Sequence, residues 1–556
     1  MKKNRFLIPA AAFALIGTVL LLVPHPNPAG MGRDAAVWAM ALACVSILFG
    51  RKGRFRPVGL WVAAAGFAGV MTLARSFGLQ GDTGWISAHK PQALLYFVGC
   101  LLLGFSVSKL GLELLSSPSG NGKCSLKAPA WAGLFLLCWL PWYICLFPGT
   151  VSNDSISQMR MIFGLDPLSG ANPIVQTGLV ALFCRIGTAV NNPDAGVALY
   201  CLVQGILMAL LAGSVTAEWT GNLKWPVFAL FAFCPVFPVF AFCVGKDTNF
   251  AMAVLWLSLN LYRLLRGQKA AVPLCVSAVL CVLLRNAGLW PAAAALLCAV
   301  LYLRGKNILP AAAALLCTVL TAVILQSFVI PGLQAAPMPE SENYSVPLQQ
   351  VTRMALGNRI REAERETIEK VLPLEEAKAV YNGELSDRVK ELWNESAPAE
   401  HKQAFWKTWL RLCLKNPGTA FSSLFHNSYG YLAPGYISAL KPTLILGDQS
   451  SGTADIKGTY DFSVNPPAER LRSFLKKAES IPLYRLLLSP GLYGWITLLA
   501  ALALLKKPKL LIPVLPALFT LIGCLFSPVN GYFRYAMPLY LCAPFLLLMI
   551  RKGKNE

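Results

Sequence analysis

A few polar residues stand out against an apolar background. Asp154 lies in Pro148-Gly-Thr-Val-Ser-Asn-Asp154-Ser-Ile-Ser-Gln158. A carboxylate held there could act as a general base, taking the proton of a hydroxyl as its oxygen attacks an activated carbon. The Pro-Gly pair turns the chain, so Ser152, Asn153 or Asp154 could equally cap a short helix holding Gln158 and Met159. Lys246 and Asp247 follow in Phe242-Cys-Val-Gly-Lys-Asp-Thr-Asn249. They suit an anionic group and an oriented acceptor or metal, or a plain interfacial ion pair. Arg285 and Asn286 interrupt two apolar runs, and Arg534 with Tyr535 sits in Gly531-Tyr-Phe-Arg-Tyr-Ala-Met-Pro538. A guanidinium fork matches phosphate, although an arginine at a span end also serves as a snorkelling anchor.

Other chemistries find little footing. The sequence has no phosphate-binding GxxxxGK[ST], no HExxH and no GxSxG, and its four histidines (His25, His89, His401, His426) are scattered. Fifteen of 16 cysteines lie in or near apolar runs, and no CxxC pair suggests zinc. No cofactor is firmly implied, and a divalent metal stays open without support.

The elements that must position these residues follow from composition. The chain has 556 residues, 56% of them hydrophobic and 14% charged, and its mean hydropathy is +0.55. Repeated apolar runs approach the roughly 20 residues that cross a bilayer. These features exclude a soluble enzyme, a disordered chain and a disulfide scaffold, and imply a polytopic all-α membrane protein. The net charge is +22. The stretch from Phe328 to Arg485 holds 18 acidic and 19 basic residues, so 30 basic and nine acidic residues remain elsewhere. Positive charge in short loops beside apolar runs marks the cytoplasmic face, so nucleic acid is not an expected partner.

Phe6–Val23 reads as an uncleaved first span with its basic end inside. Counting crossings against the basic loops gives about 14 transmembrane helices with both termini cytoplasmic. That count requires Ile174–Val190 to lie in the outer interface or fold back rather than cross. Trp225–Val244 reads as one span. Four parts result: an N-terminal four-span bundle over 1–129; a membrane core over 130–327, with an outer loop over 148–173 and an interfacial helix over 174–190; a small, mainly helical extracytoplasmic domain over 328–485; and three final spans over 486–556. The outer domain contains helix-like charged runs at Asn358–Val371 and Leu374–Trp393 and a Gly/Ser-rich turn at Gly447–Gly458. Six acidic residues then face outward: Asp34, Asp82, Asp154, Asp166, Asp194 and Asp247. Glu113, Glu218 and Glu556 face inward. Ionisable groups at membrane level are costly and are functional candidates by default.

The segment around Asp154, followed by Asn172-Pro173, resembles a group of bacterial multispanning membrane proteins that are similar to GT-C glycosyltransferases. The resemblance covers roughly Ala130–Ile550. It implies a GT-C-like core in a bacterial cytoplasmic membrane, with its site on the outer face. Sugar would move from a polyprenyl-phosphate donor to a cell-envelope polymer, lipid or protein. By this resemblance Asp154 and Asp247 are catalytic, and Lys246, Arg285 and Arg534 bind the donor phosphate. Gln158, Asn172, Asn286 and Tyr535 give support. Relatives carry His-His-Pro where this chain has Ala171-Asn172-Pro173, which puts activity in question. Two alternatives stand beside this reading: a transporter or lipid flippase, and a non-catalytic membrane scaffold.

Overall fold

The computed structural model describes residues 57–115, 126–305, 308–438, 444–445, 466–478 and 481–555. The expected spans Phe6–Val23 and Ala35–Gly50 and the Gly447–Gly458 turn lie outside the described residues. Seven described helices are long and apolar enough to cross a membrane: Gly59–Gln80, Lys90–Leu115, Ala128–Leu146, Pro193–Glu218, Ile308–Gly332, Pro508–Leu525 and Phe533–Gly553. Four shorter apolar helices accompany them. The fold is predominantly helical and in keeping with an all-α membrane protein.

Helices α1 (Pro57–Gln80) and α2 (Lys90–Leu115) pack as a pair. Helix α3 (Ala128–Leu146) leads into strand β1 (Thr150–Val151) and the short helix α4 (Asn153–Ile162). Next come α5 (Ile174–Ala189) and α6 (Pro193–Glu218). Both ends of α5 stay near the start of α6. Gln176 donates to the Tyr200 hydroxyl at 2.8 Å, and the Phe183 and Tyr200 rings meet edge-on at 5.5 Å. Gly187 lies against Gly196, where a side chain would run into the Phe183 carbonyl oxygen. The two backbones therefore touch directly.

The stretch expected as one span, Trp225–Val244, is broken. Helix α7 (Lys224–Phe233) ends where Cys234 turns extended ahead of Pro235, and α8 (Val236–Ala241) and strand β2 (Cys243–Val244) follow. Proline has no N–H and disfavours helical backbone at the residue before it. The break at Pro235 and the end of α8 both leave carbonyls to satisfy, and side chains from other helices reach them. The Trp139 indole donates to the Phe231 carbonyl at 3.0 Å; its ordinary helical partner would have been residue 235. Gln204 donates to the carbonyls of Phe240, Ala241 and Cys243 at 3.0, 2.9 and 2.8 Å.

Helix α9 (Lys246–Leu265) starts immediately after β2, and α10 (Ala271–Leu284), α11 (Leu289–Tyr302) and α12 (Ile308–Ile324) follow. Five helices then enclose a second apolar core that includes Leu348, Met354, Ile368, Leu372, Phe405 and Leu412. They are α13 (Ser345–Leu356), α14 (Glu362–Glu369), α15 (Leu374–Val380), α16 (Ala399–Lys415) and α17 (Pro417–His426). The charged run Leu374–Trp393 is not one helix: a turn at Asn382-Gly383 separates α15 from the short helix Asp387–Lys390.

The last described part of the chain includes strand β3 (Leu444–Ile445) and helices α18 (Pro490–Leu504), α19 (Leu515–Leu525) and α20 (Phe533–Asn555). Helix α20 is the hub: it packs on α9 and α18, and Leu539, Tyr540, Leu541 and Phe545 are wholly buried. Its far end meets the end of α6, where Lys552 lies 3.4 Å from Glu218 and Arg551 covers the Trp219 ring at 5.7 Å. Its near end, with Arg534, meets the starts of α4 and α9.

Candidate functional site

A three-stranded sheet no more than two residues deep organises the site. Strand β1 lies between parallel β2 and antiparallel β3, with Thr150 opposite Cys243 and Val151 opposite Val244. Each parallel strand runs straight into a helix, β1 into α4 and β2 into α9. Asp154 and Asp247 stand three residues beyond the paired valines and so occupy equivalent places in two adjacent helix starts. Ser152 caps α4 and forms a reciprocal capping box with Ser155. The Ser155 hydroxyl also donates to the Val244 carbonyl, which ties the two turns together. The capping role open to three residues thus falls to Ser152, leaving the Asp154 carboxylate to other partners.

Arg534, at the start of α20, lies between the two carboxylates. Its Nη2 donates to Asp154 Oδ2 at 3.0 Å, and its Nε is 3.4 Å from Asp247 Oδ2. Lys246 Nζ is 2.8 Å from Asp154 Oδ2, and Arg285 Nη1 is 2.9 Å from Asp247 Oδ1. Asp247 and Arg534 are nearly excluded from solvent, whereas the Asp154 side chain is 28% exposed. Burial of the Asp247 carboxylate is tolerable only with such pairing. Burial would raise the Asp154 carboxyl, but Lys246 and Arg534 outweigh it and hold the group well below the usual carboxylate range. Three cations face two carboxylates, so the cluster carries one net positive charge. The Nη1 group of Arg534 is buried and has no hydrogen-bond partner among the described residues.

The supporting residues divide. Asn172 accepts from Lys246 Nζ at 3.0 Å. The Tyr535 ring lies between Arg285 and Arg534, 5.0 and 5.7 Å from their guanidinium carbons. Asn286 holds the outer loop by donating to the carbonyls of Gly170 and Ala171. Gln158 does not join the charged cluster: it is fully buried and donates to Thr177 at 3.0 Å, fastening α4 to α5. Asp166 pairs with Arg160 at 2.7 Å. Among the described residues no group of three or more His, Cys, Asp or Glu side chains converges as metal ligands would.

Two features escaped the sequence reading. One is the repeated pattern Val151-x-x-Asp154-Ser155 and Val244-x-x-Asp247-Thr248, the local signature of the paired turns. The other is an apolar groove of about 430 Å³ between α5, α6, α9 and α10. Asn249, Met252, Ala253 and Trp256 line it along one face of α9, and Leu284, adjacent to Arg285, closes one side. Asn249 donates to Tyr200 and Gln176 at 2.8 and 3.0 Å, making a polar mouth one helical turn below Lys246. On α6 the lining runs from Tyr200 to Leu211, a rise of about 16 Å.

Seven candidate spans among the described residues, with a paired-charge cluster at one end of the bundle, are consistent with an all-α membrane protein. The chain belongs to DUF6020, a family of unknown function, whose model matches residues 166–556. That range includes Lys246, Asp247, Arg285 and Arg534 and begins after Asp154. No curated protein and no solved structure matches the chain.

Proposed function

We propose that this chain is a glycosyltransferase of the bacterial cytoplasmic membrane. In this reading it has about 14 spans, a GT-C-like core, an inserted outer domain over 328–485, and its site on the outer face. It transfers a sugar from a polyprenyl-phosphate donor to a hydroxyl of an extracytoplasmic acceptor. The observation that carries the reading is Arg534 lodged between Asp154 and Asp247, with a buried N–H to spare beside Lys246 and Arg285. One surplus positive charge suits a singly charged phosphodiester. The groove one turn away is long and apolar enough for the first part of a lipid tail.

The acceptor oxygen bonds to the anomeric carbon as the bond from that carbon to the phosphate oxygen breaks. The hydroxyl proton passes to Asp154. The bonding electrons leave with the lipid phosphate, which Lys246, Arg285 and Arg534 hold as an anion. In the free chain Asp154 is a weak base because two cations stabilise its charge. Movement of Lys246 and Arg534 onto the donor phosphate raises its proton affinity. Asp247, kept by Arg285, orients the acceptor.

The test compares lipid extracts of cells carrying the unsubstituted chain with cells carrying Asp154→Asn inserted at the same level. One polyprenyl-phosphate sugar should accumulate in the variant. Unchanged transfer overturns the proposal, and lipid translocation without sugar transfer in proteoliposomes replaces it with the flippase reading.

A further inference from the structure

Helices α16 and α17 present a face that their own core does not use. Leu410, Leu414 and Phe421 are 53%, 74% and 55% exposed, although α16 buries Phe405, Thr408 and Leu412 on its other side. Exposed Lys407 and Arg411 flank Leu410 and Leu414. Large apolar side chains edged by basic ones are the composition of a segment resting on a lipid surface.

A chain of rings fixes where this face sits. Phe421 stacks on Phe425 at 5.8 Å between centroids, and Phe425 meets Phe77 edge-on at 5.2 Å. Phe77 belongs to the last turn of α1, one of the candidate spans. Leu79, two residues on, is 45% exposed. Gly81, just past α1, accepts a hydrogen bond from Arg353 of α13 at 2.6 Å. Phe421, at the edge of this face, is therefore two ring contacts, through the buried Phe425 and Phe77, from the end of a helix long enough to cross a bilayer. The face thus lies near the end of that helix and whatever surrounds it.

We propose that Leu410, Leu414 and Phe421 rest in the lipid headgroup layer, with Lys407 and Arg411 contacting anionic lipid phosphates. The bilayer surface is the partner, and the contact anchors the α13–α17 unit against the membrane independently of the charged cluster. Long basic side chains suit such a boundary because their stems lie on apolar surface while their charges reach phosphate.

The experiment uses the full chain in lipid nanodiscs. Leu414→Cys, Phe421→Cys and, as a control, Glu362→Cys are labelled with bimane, and the signal of the equally treated unsubstituted chain is subtracted. Glu362 lies on α14 with its side chain 80% exposed. Labels at 414 and 421 should be quenched several-fold more by brominated lipid than the label at 362. Their emission should shift further to the blue in phosphatidylglycerol discs than in phosphatidylcholine discs. Lys407→Glu with Arg411→Glu should remove that lipid preference. Equal quenching by aqueous iodide at all three positions, with no bromolipid effect at 414 or 421, overturns the proposal. Protection that appears only as protein concentration rises overturns it in favour of a second copy of the chain.

Discussion

Asp154 and Asp247 sit at matching positions in two parallel strand-to-helix turns, and a single arginine, Arg534, reaches both. Two like charges placed this close would repel each other in a low-dielectric setting. The cation between them makes the arrangement stable, so Arg534 is as much a structural keystone as a candidate ligand.

Removal of that cation should be costly. Arg534→Met leaves Asp247 buried with Arg285 alone, and loss of one partner of a buried pair typically costs about 3–5 kcal/mol. Thermal unfolding in detergent should show a large drop for Arg534→Met and a smaller one for Arg534→Met combined with Asp247→Asn. Equal drops would mean that the two side chains are not coupled.

The hydroxyl of Ser155 joins the two turns. Ser155→Ala removes its half of the capping box and its bond to Val244. A loss of about 1 kcal/mol is expected. Ser152→Ala should cost a similar amount, and the double variant less than the sum, because both serve one cap.

Gln204 supplies one donor group to three carbonyls around the break in the Lys224–Val244 stretch. Gln204→Leu fills the same space and removes that donor, leaving the Phe240 carbonyl only its bond from Thr248, at a cost of about 1–3 kcal/mol. Gln204→Glu should be at least as damaging, since a carboxylate offers these carbonyls no N–H. Denaturant unfolding of the purified variants reads both, and a Leu variant as stable as the unsubstituted chain would refute the assignment.

Stability should fall in acid because of His426. Burial, reinforced by Arg353, lowers this imidazole from its ordinary 6.5 to about 4. Arg353 Nη1 lies 3.1 Å from His426 Nδ1, and Glu384 and Asp82 oppose the shift. The unfolded chain then binds more protons than the folded chain between these values. The contribution is intact above pH 6.5 and is lost as the pH falls toward 4, on the order of 1–2 kcal/mol by pH 5. His426→Gln should flatten the profile over that window. Gly383→Ala, whose side chain would collide with the His426 ring, should destabilise the chain at every pH.

The sequence determined the helical, membrane-compatible character of the chain, because long apolar runs leave few other ways to satisfy the backbone. It also singled out Asp154, Lys246, Asp247, Arg285 and Arg534, since charge is rare in such runs and therefore conspicuous. Counting basic loops set these five apart from Glu218 and the basic clusters, and the fold gathers the five at one end while Glu218 meets Lys552 at the other. What only the tertiary structure decided was who pairs with whom. Arg534 and Asp154 are 380 residues apart, and no local pattern links them. The paired turns rest on strands of two residues, too short for any periodicity to reveal, and Trp139 and Gln204 come from other helices to meet the carbonyls left at the Pro235 break and at the end of α8 respectively. Gln158, conspicuous beside Asp154 in the sequence, turns toward Thr177 instead. A helix sends residues four apart to one side but cannot announce which neighbour waits there, so partnership is a property of packing rather than of sequence.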